Sequence, residues 1–122
     1  MDRRFLRIHE LDPLSEVHEL NIEIDGSALT TSLATAGVVI GKTFITAKDD
    51  GSNTVTIAFK RPLKRAPHVH ASTYTADCVV RVTSRTTTGI EYITVQNDDT
   101  TTGVDDADVF LTLKCFESVD LG

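Results

Sequence analysis

The stretch Asn53-Thr-Val-Thr-Ile-Ala-Phe-Lys-Arg-Pro-Leu-Lys-Arg-Ala-Pro-His-Val-His-Ala-Ser-Thr-Tyr74 decides how the chain is read. Val55, Ile57 and Phe59 alternate with Thr54, Thr56, Ala58 and Lys60, the period of two that places apolar side chains on one face of a strand. Arg61-Pro62 ends this run, because proline offers no amide hydrogen to a ladder and biases its predecessor away from helix. After a short basic link, Pro67 opens a second alternating run. Val69, Ala71 and Thr73 share one face, and His68, His70, Ser72 and Tyr74 share the other. Two strands therefore flank a basic loop pinned by proline at both ends.

Outward from this stretch the same pattern recurs. Leu20, Ile22 and Ile24 alternate with Asn21, Glu23 and Asp25, and Asp25-Gly26-Ser27 supplies a turn. Residues 28–36, rich in Thr and Ala, read equally as strand or loop. A strand is expected around Thr43 to Ala47, with the turn Asp49-Asp50-Gly51-Ser52-Asn53 after it. Further strands are expected over 78–87, interrupted at Gly89, and over 90–96. A polar loop over 97–106 precedes a last strand, in which Val109, Leu111, Leu113 and Cys115 oppose Phe110 and Phe116. Six or seven short strands with frequent turns and little helix predict an all-β fold, a small antiparallel β-sandwich. Apolar residues on both faces of the last two strands call for further cover. Ile93, Val95, Phe110 and Phe116 are the candidates for a subunit interface in a homo-oligomer.

Residues 1–19 read as an N-terminal arm and 20–122 as the sandwich domain. Pro13 suits the first turn of a short helix capped by Asp12, so 13–19 allows at most two helical turns. Arg3, Arg4, Phe5, Leu6, Arg7 and Ile8 mix charge with apolar side chains in a segment too short to bury itself, which makes them the candidate docking residues.

Composition limits the classes of function. At 122 residues, with 40% apolar and 25% charged side chains, the chain has the composition of one globular domain. A net charge of -6 argues against nucleic acid as a partner. Neither a membrane-length apolar run nor a signal-peptide core is present, so a protein made in the cytoplasm, or assembled there into something larger, is expected. Charge is nonetheless uneven: cations gather at 3–7 and 60–65, acids at 49–50 and 98–108. Cys78 and Cys115 lie in strand-like runs and read as small buried side chains.

No catalytic constellation, phosphate loop or metal motif stands out, so an enzyme is the least supported class and no cofactor is expected. His68-x-His70 offers two imidazoles without a third ligand, and the aspartates of 98–108 depart from calcium-loop spacing, so no metal site is assigned. With no Trp in the chain, Tyr74 and Tyr92 are the candidate ligand surface, together with the loop 100–108.

The run from Val55 to Val69, with a strand ending in Phe and a short link to Pro67-His68-Val69, resembles the opening of the H-type lectin-like sandwich. Val80-Arg81-Val82-Thr83-Ser84 and Thr88-Gly89-Ile90 look like that family's next strands. Asp106-Ala107-Asp108-Val109-Phe110-Leu111-Thr112-Leu113 is similar to closing strands of bacteriophage virion proteins of this look. The resemblance implies a homotrimer located in the virion. It implies a structural part of a bacteriophage particle, a capsid decoration or head-fibre protein fixed by its arm to the major capsid protein or another virion protein. The alternative it implies is a tail-associated module that binds carbohydrate or a host receptor. The sugar-binding set of that family, which includes aromatic, His, Asp and Arg residues, does not map onto this sequence.

Overall fold

The computed structural model describes residues 18–51 and 53–115. Eight strands form: β1 (His18–Ile24), β2 (Val38–Ile40), β3 (Ile45–Asp49), β4 (Thr54–Phe59), β5 (His68–Thr73), β6 (Cys78–Arg85), β7 (Gly89–Gln96) and β8 (Val109–Cys115). They make two four-stranded sheets, ordered β2-β1-β8-β5 and β3-β4-β7-β6. Every pairing is antiparallel, so the expected small β-sandwich is the fold.

Alternation selects the inner faces. From the first sheet, Ile22, Ile24, Val109, Leu111 and Leu113 point inward; from the second, Ile45, Ala47, Val55, Ile57, Ile90 and Tyr92 meet them, all buried in one cluster. Each fully buried aliphatic side chain contributes about 1.5–3 kcal/mol relative to exposure, before conformational entropy is counted. In β8 burial alternates without exception, as the sequence predicts: Val109, Leu111, Leu113 and Cys115 are buried, and the residues between them are only half-buried. Both cysteines are free thiols.

The central stretch folds as two strands around a loop, but these strands belong to different sheets. The link 60–67 crosses from β4 to β5 over one end of the sandwich. Leu63 is buried beneath it, and its amide donates to the Thr87 carbonyl at 2.8 Å. Pro67 is fully buried and fixes the entry into β5.

Two expectations need correction, one open reading is resolved, and one strand is added. His18 and Glu19 lie in β1 and so belong to no helix; the rest of the helix reading, 13–17, falls outside the described residues. The strand expected at 43–47 begins at Ile45, because the amides of Phe44 and Ile45 both donate to the Gly41 carbonyl and close a turn there. The ambiguous region 28–36 forms the end of a single 3-10 turn and an isolated bridge from Ala34 to Ala47. The eighth strand, β2, went unforeseen because only Val38 of its three residues is buried, and one buried residue makes no period.

Candidate functional site

The chain runs up and down, so its connections fall alternately at two ends of the sandwich. Strands of this length rise about 3.3 Å per residue, which places the ends on the order of 20 Å apart. Residues 25–37, 50–53, 74–77 and 97–108 lie at one end; 41–44, 60–67 and 86–88 lie at the other. The first set carries Asp25, Asp50 and Asp77, with Asp98, Asp99, Asp105, Asp106 and Asp108 in its longest member, and no Lys or Arg. The second carries Lys42, Lys60, Arg61, Lys64 and Arg65, and no acid. The chain enters β1 at His18 and leaves β8 at Cys115, and both residues are at the basic end.

Turn chemistry explains much of the acidic end. Asp25 accepts the Ser27 amide at 3.1 Å, and Asp49, at the end of β3, accepts the Gly51 amide at 2.8 Å. Asp99 takes the amide of Thr101 at 3.0 Å and the hydroxyls of Thr101 and Thr102 at 2.6 and 2.7 Å. These bonds, that of Thr101 foremost, hold the Asp99 carboxyl below its usual range. The Asp50 carboxyl is likewise lowered, first by the Thr56 hydroxyl and then by Lys48, whose ammonium is 3.2 Å away. Lysine and arginine have no comparable part in turns. At the basic end Lys60 Nζ donates to the Lys42 carbonyl at 2.6 Å.

Beside the basic loop, the edge strands β5 and β6 of the two sheets leave a groove of about 480 Å³ between them. His68 and His70 line it from β5, and Thr83, Ser84 and Arg85 from β6. Arg85 Nη1 donates to the Pro67 carbonyl at 3.2 Å and thereby ties the groove to the loop. The two imidazoles share the exposed face of β5, as expected from their spacing. Among the described residues no three His, Cys, Asp or Glu side chains are placed to hold a metal ion. Sequence reasoning missed Arg85 because its partners in the groove are 15 or more residues away and in the other sheet.

The remaining candidates separate. Tyr74 is 87% exposed and packs edge-on against Phe110, with ring centroids 5.0 Å apart. Tyr92 is fully buried between the sheets, which corrects its reading as ligand surface: the inward register it shares with Ile90 takes the ring into the core. Its hydroxyl has no hydrogen-bond partner among the described residues, and burial foremost, then Asp49, pushes its pKa up. Of the interface candidates, Ile93 and Phe110 are half-buried on the outer faces. Val95 is buried within its own chain, where the acidic loop folds back and Gly103 bridges to it. Asn53 and Thr94 fasten that loop: Asn53 Nδ2 donates to the Thr94 carbonyl at 2.6 Å, and the Thr94 hydroxyl to the Val104 carbonyl at 2.5 Å. Phe116 and the docking candidates Arg3, Arg4, Phe5, Leu6, Arg7 and Ile8 lie outside the described residues.

These features define the chain as a two-sheet antiparallel β-sandwich with an acidic end, a basic end and a polar groove beside the latter. In comparison with known proteins, the chain matches no family model, no curated protein and no solved structure.

Proposed function

We propose that the chain is a structural component of a bacteriophage particle, a capsid decoration or head-fibre subunit attached through the segment that precedes β1. The observation that carries the reading is where that segment joins the fold. Among the described residues the core cluster is drawn from 22–115, and in sequence the basic, apolar run Arg3 to Ile8 precedes β1, a central strand of its sheet. A run of this composition suits burial against a partner, where each apolar side chain contributes about 1.5–3 kcal/mol before ordering costs. The resemblance of the chain to H-type lectin-like sandwiches of virion proteins supplies the particle and the homotrimer. Half-buried Ile93 and Phe110, with exposed Val39 and Ile40 on β2, are apolar surface that self-association would cover.

The test is decoration of capsids purified from a strain deleted for this chain. The full chain is expected to bind them, and a variant lacking residues 1–10 is expected to keep its sheet circular dichroism and lose binding. Full occupancy by the truncated chain would remove the arm from the mechanism. Light scattering is expected to give three copies per particle of free protein, and a stable monomer at micromolar concentration would refute the trimer.

One observation favours a second reading, a tail-associated module for carbohydrate or a host receptor. Tyr74 stands in solvent and is braced by Phe110, as a ring that stacks on a sugar would be. Specific binding on a glycan array, lost in Tyr74→Ala, would promote it above the first.

A further inference from the structure

We propose that a small cavity beneath the acidic end of the sandwich is a calcium site, with the cation held between the carboxylates of Asp49 and Asp106 and beside the Tyr92 hydroxyl. The inference is independent of the particle reading above.

Strand register builds the floor of this cavity. Asp49 pairs with Val55 across the β3–β4 ladder, and Val55 pairs with Tyr92 across the β4–β7 ladder, so the three stand in one row. Residues directly opposite one another in a ladder point to the same face. Asp49 therefore continues the inward register of Ile45 and Ala47, an aspartate turned toward the core, two strand spacings or about 10 Å along the sheet from Tyr92. The loop 97–108 closes the cavity from the other side. Gly26 packs against it so tightly that a β-carbon there would run into the Ala107 carbonyl oxygen, and Asp106, in the left-handed conformation at φ 60°, joins the lining. Asn53 and Thr94 add an amide and a hydroxyl, and no Lys, Arg, His or Cys takes part.

Two independent observations point to a ligand. Tyr92 lines the cavity and is fully buried, and its hydroxyl has no hydrogen-bond partner among the described residues. Buried polar groups nearly always have a partner, be it protein, water or an ion. Second, two carboxylates line one cavity, and neither forms an ion pair among the described residues. Burial first, and then the Asp49 charge, pushes the Tyr92 pKa up, so that carboxylate acts on the phenol.

Size and chemistry select the cation. The cavity holds about 10 Å³, room for one water-sized species. A lining of oxygen ligands suits a hard cation and not zinc or copper. A monovalent ion offsets only one of the two carboxylates. Magnesium demands near-ideal octahedral geometry, whereas these ligands come from β3, β7 and two loops, and calcium accepts such irregular sets. It also accepts neutral oxygens, so two acids suffice where no third is placed. Asn53 Nδ2 is taken by the Thr94 carbonyl, which leaves Oδ1 as the ligand atom of that side chain. The bound ion ties the end of β3 to the loop 97–108, and so ties one sheet to the connection that leads into the other.

The experiment is calorimetric titration of the full chain with calcium chloride after dialysis against chelator, with thermal unfolding followed by circular dichroism. One calcium ion per chain is expected, with a rise in Tm of about 4 °C or more at about ten times Kd. Asp106→Asn keeps a residue that tolerates the left-handed conformation and removes one charge; affinity is expected to fall about tenfold or more. Tyr92→Phe gives a second readout that does not depend on how the first variant folds. In chelator the phenol hydroxyl has no partner and its removal raises Tm; calcium supplies that partner, so the calcium-induced rise in Tm is expected to be smaller in this variant than in the parent. No calcium binding at up to about 10 mM overturns the inference and means that the cavity takes water only. A calcium response undiminished in either variant puts the ion on other aspartates of the acidic end and overturns it as well. Equal stabilisation by magnesium, or by sodium chloride at matched ionic strength, overturns the choice of cation.

Discussion

Replacing Tyr92 by phenylalanine removes one buried oxygen atom from between the sheets and leaves the ring in place. That hydroxyl is fully buried and has no hydrogen-bond partner among the described residues. A buried polar group without a partner costs about 1–3 kcal/mol in lost hydration, so Tyr92→Phe is expected to stabilise the fold by about 1 kcal/mol at neutral pH. A second effect appears in alkali. Burial and Asp49 raise the Tyr92 pKa in the folded protein above its ordinary value near 10, so the unfolded chain loses this proton first. Stability from the neutral phenol is therefore fully present below pH 10. It falls by about 1.4 kcal/mol for each further pH unit until the folded-state value is reached. The gap between variant and wild type should widen accordingly, to about 2 kcal/mol more at about pH 11.5 than at neutral pH. Urea unfolding of both proteins at several pH values, followed by far-ultraviolet circular dichroism, measures it; contributions common to both proteins cancel in the difference. A variant less stable than wild type by more than about 1 kcal/mol at neutral pH would show that the hydroxyl is hydrogen-bonded after all. A gap that stays constant between pH 8 and 11.5 would refute the burial argument.

A β-carbon at Gly89 would run into the Ile57 carbonyl oxygen across the β4–β7 ladder, where Gly89 pairs with Ala58. Gly89→Ala is expected to cost about 1–3 kcal/mol, read as a lower urea midpoint with an unchanged slope. The Asp99 turn should respond to acid. Its folded-state pKa is depressed, so the contribution of its carboxylate is present above the ordinary value of 3.8 and is lost as pH falls through the folded value. Protection of the Thr101 and Thr102 amides, relative to their intrinsic exchange rates at each pH, is expected to fall below about pH 4 while the β8 amides stay protected; an equal change across both would contradict this.

Period-two alternation determined most of the fold in advance. It sorted the side chains of β4, β5, β7 and β8 into two faces residue by residue, because a strand half in water must divide its side chains in this way, but in β7 it did not say which face turns inward. The two imidazoles on one face of β5 were legible for the same reason, and so was the clustering of charge along the chain. Pairing between distant strands was not. Tyr92 and Val95 lie on opposite faces of one strand and both are buried: Tyr92 by the facing sheet, Val95 by a loop that folds back onto it. Local pattern reports which side chains share a face and cannot report what covers it. The sharpest case is β2, three residues with one buried side chain. Each added strand reverses the direction of the chain. Without β2, alternation would send the start of β1 to the acidic end; with it, His18 stands beside the basic loops. The charges were readable in the sequence, but only the tertiary structure decided which of them face the same way, because that depends on pairings as far apart as His18 and Cys115, whose energies are collective.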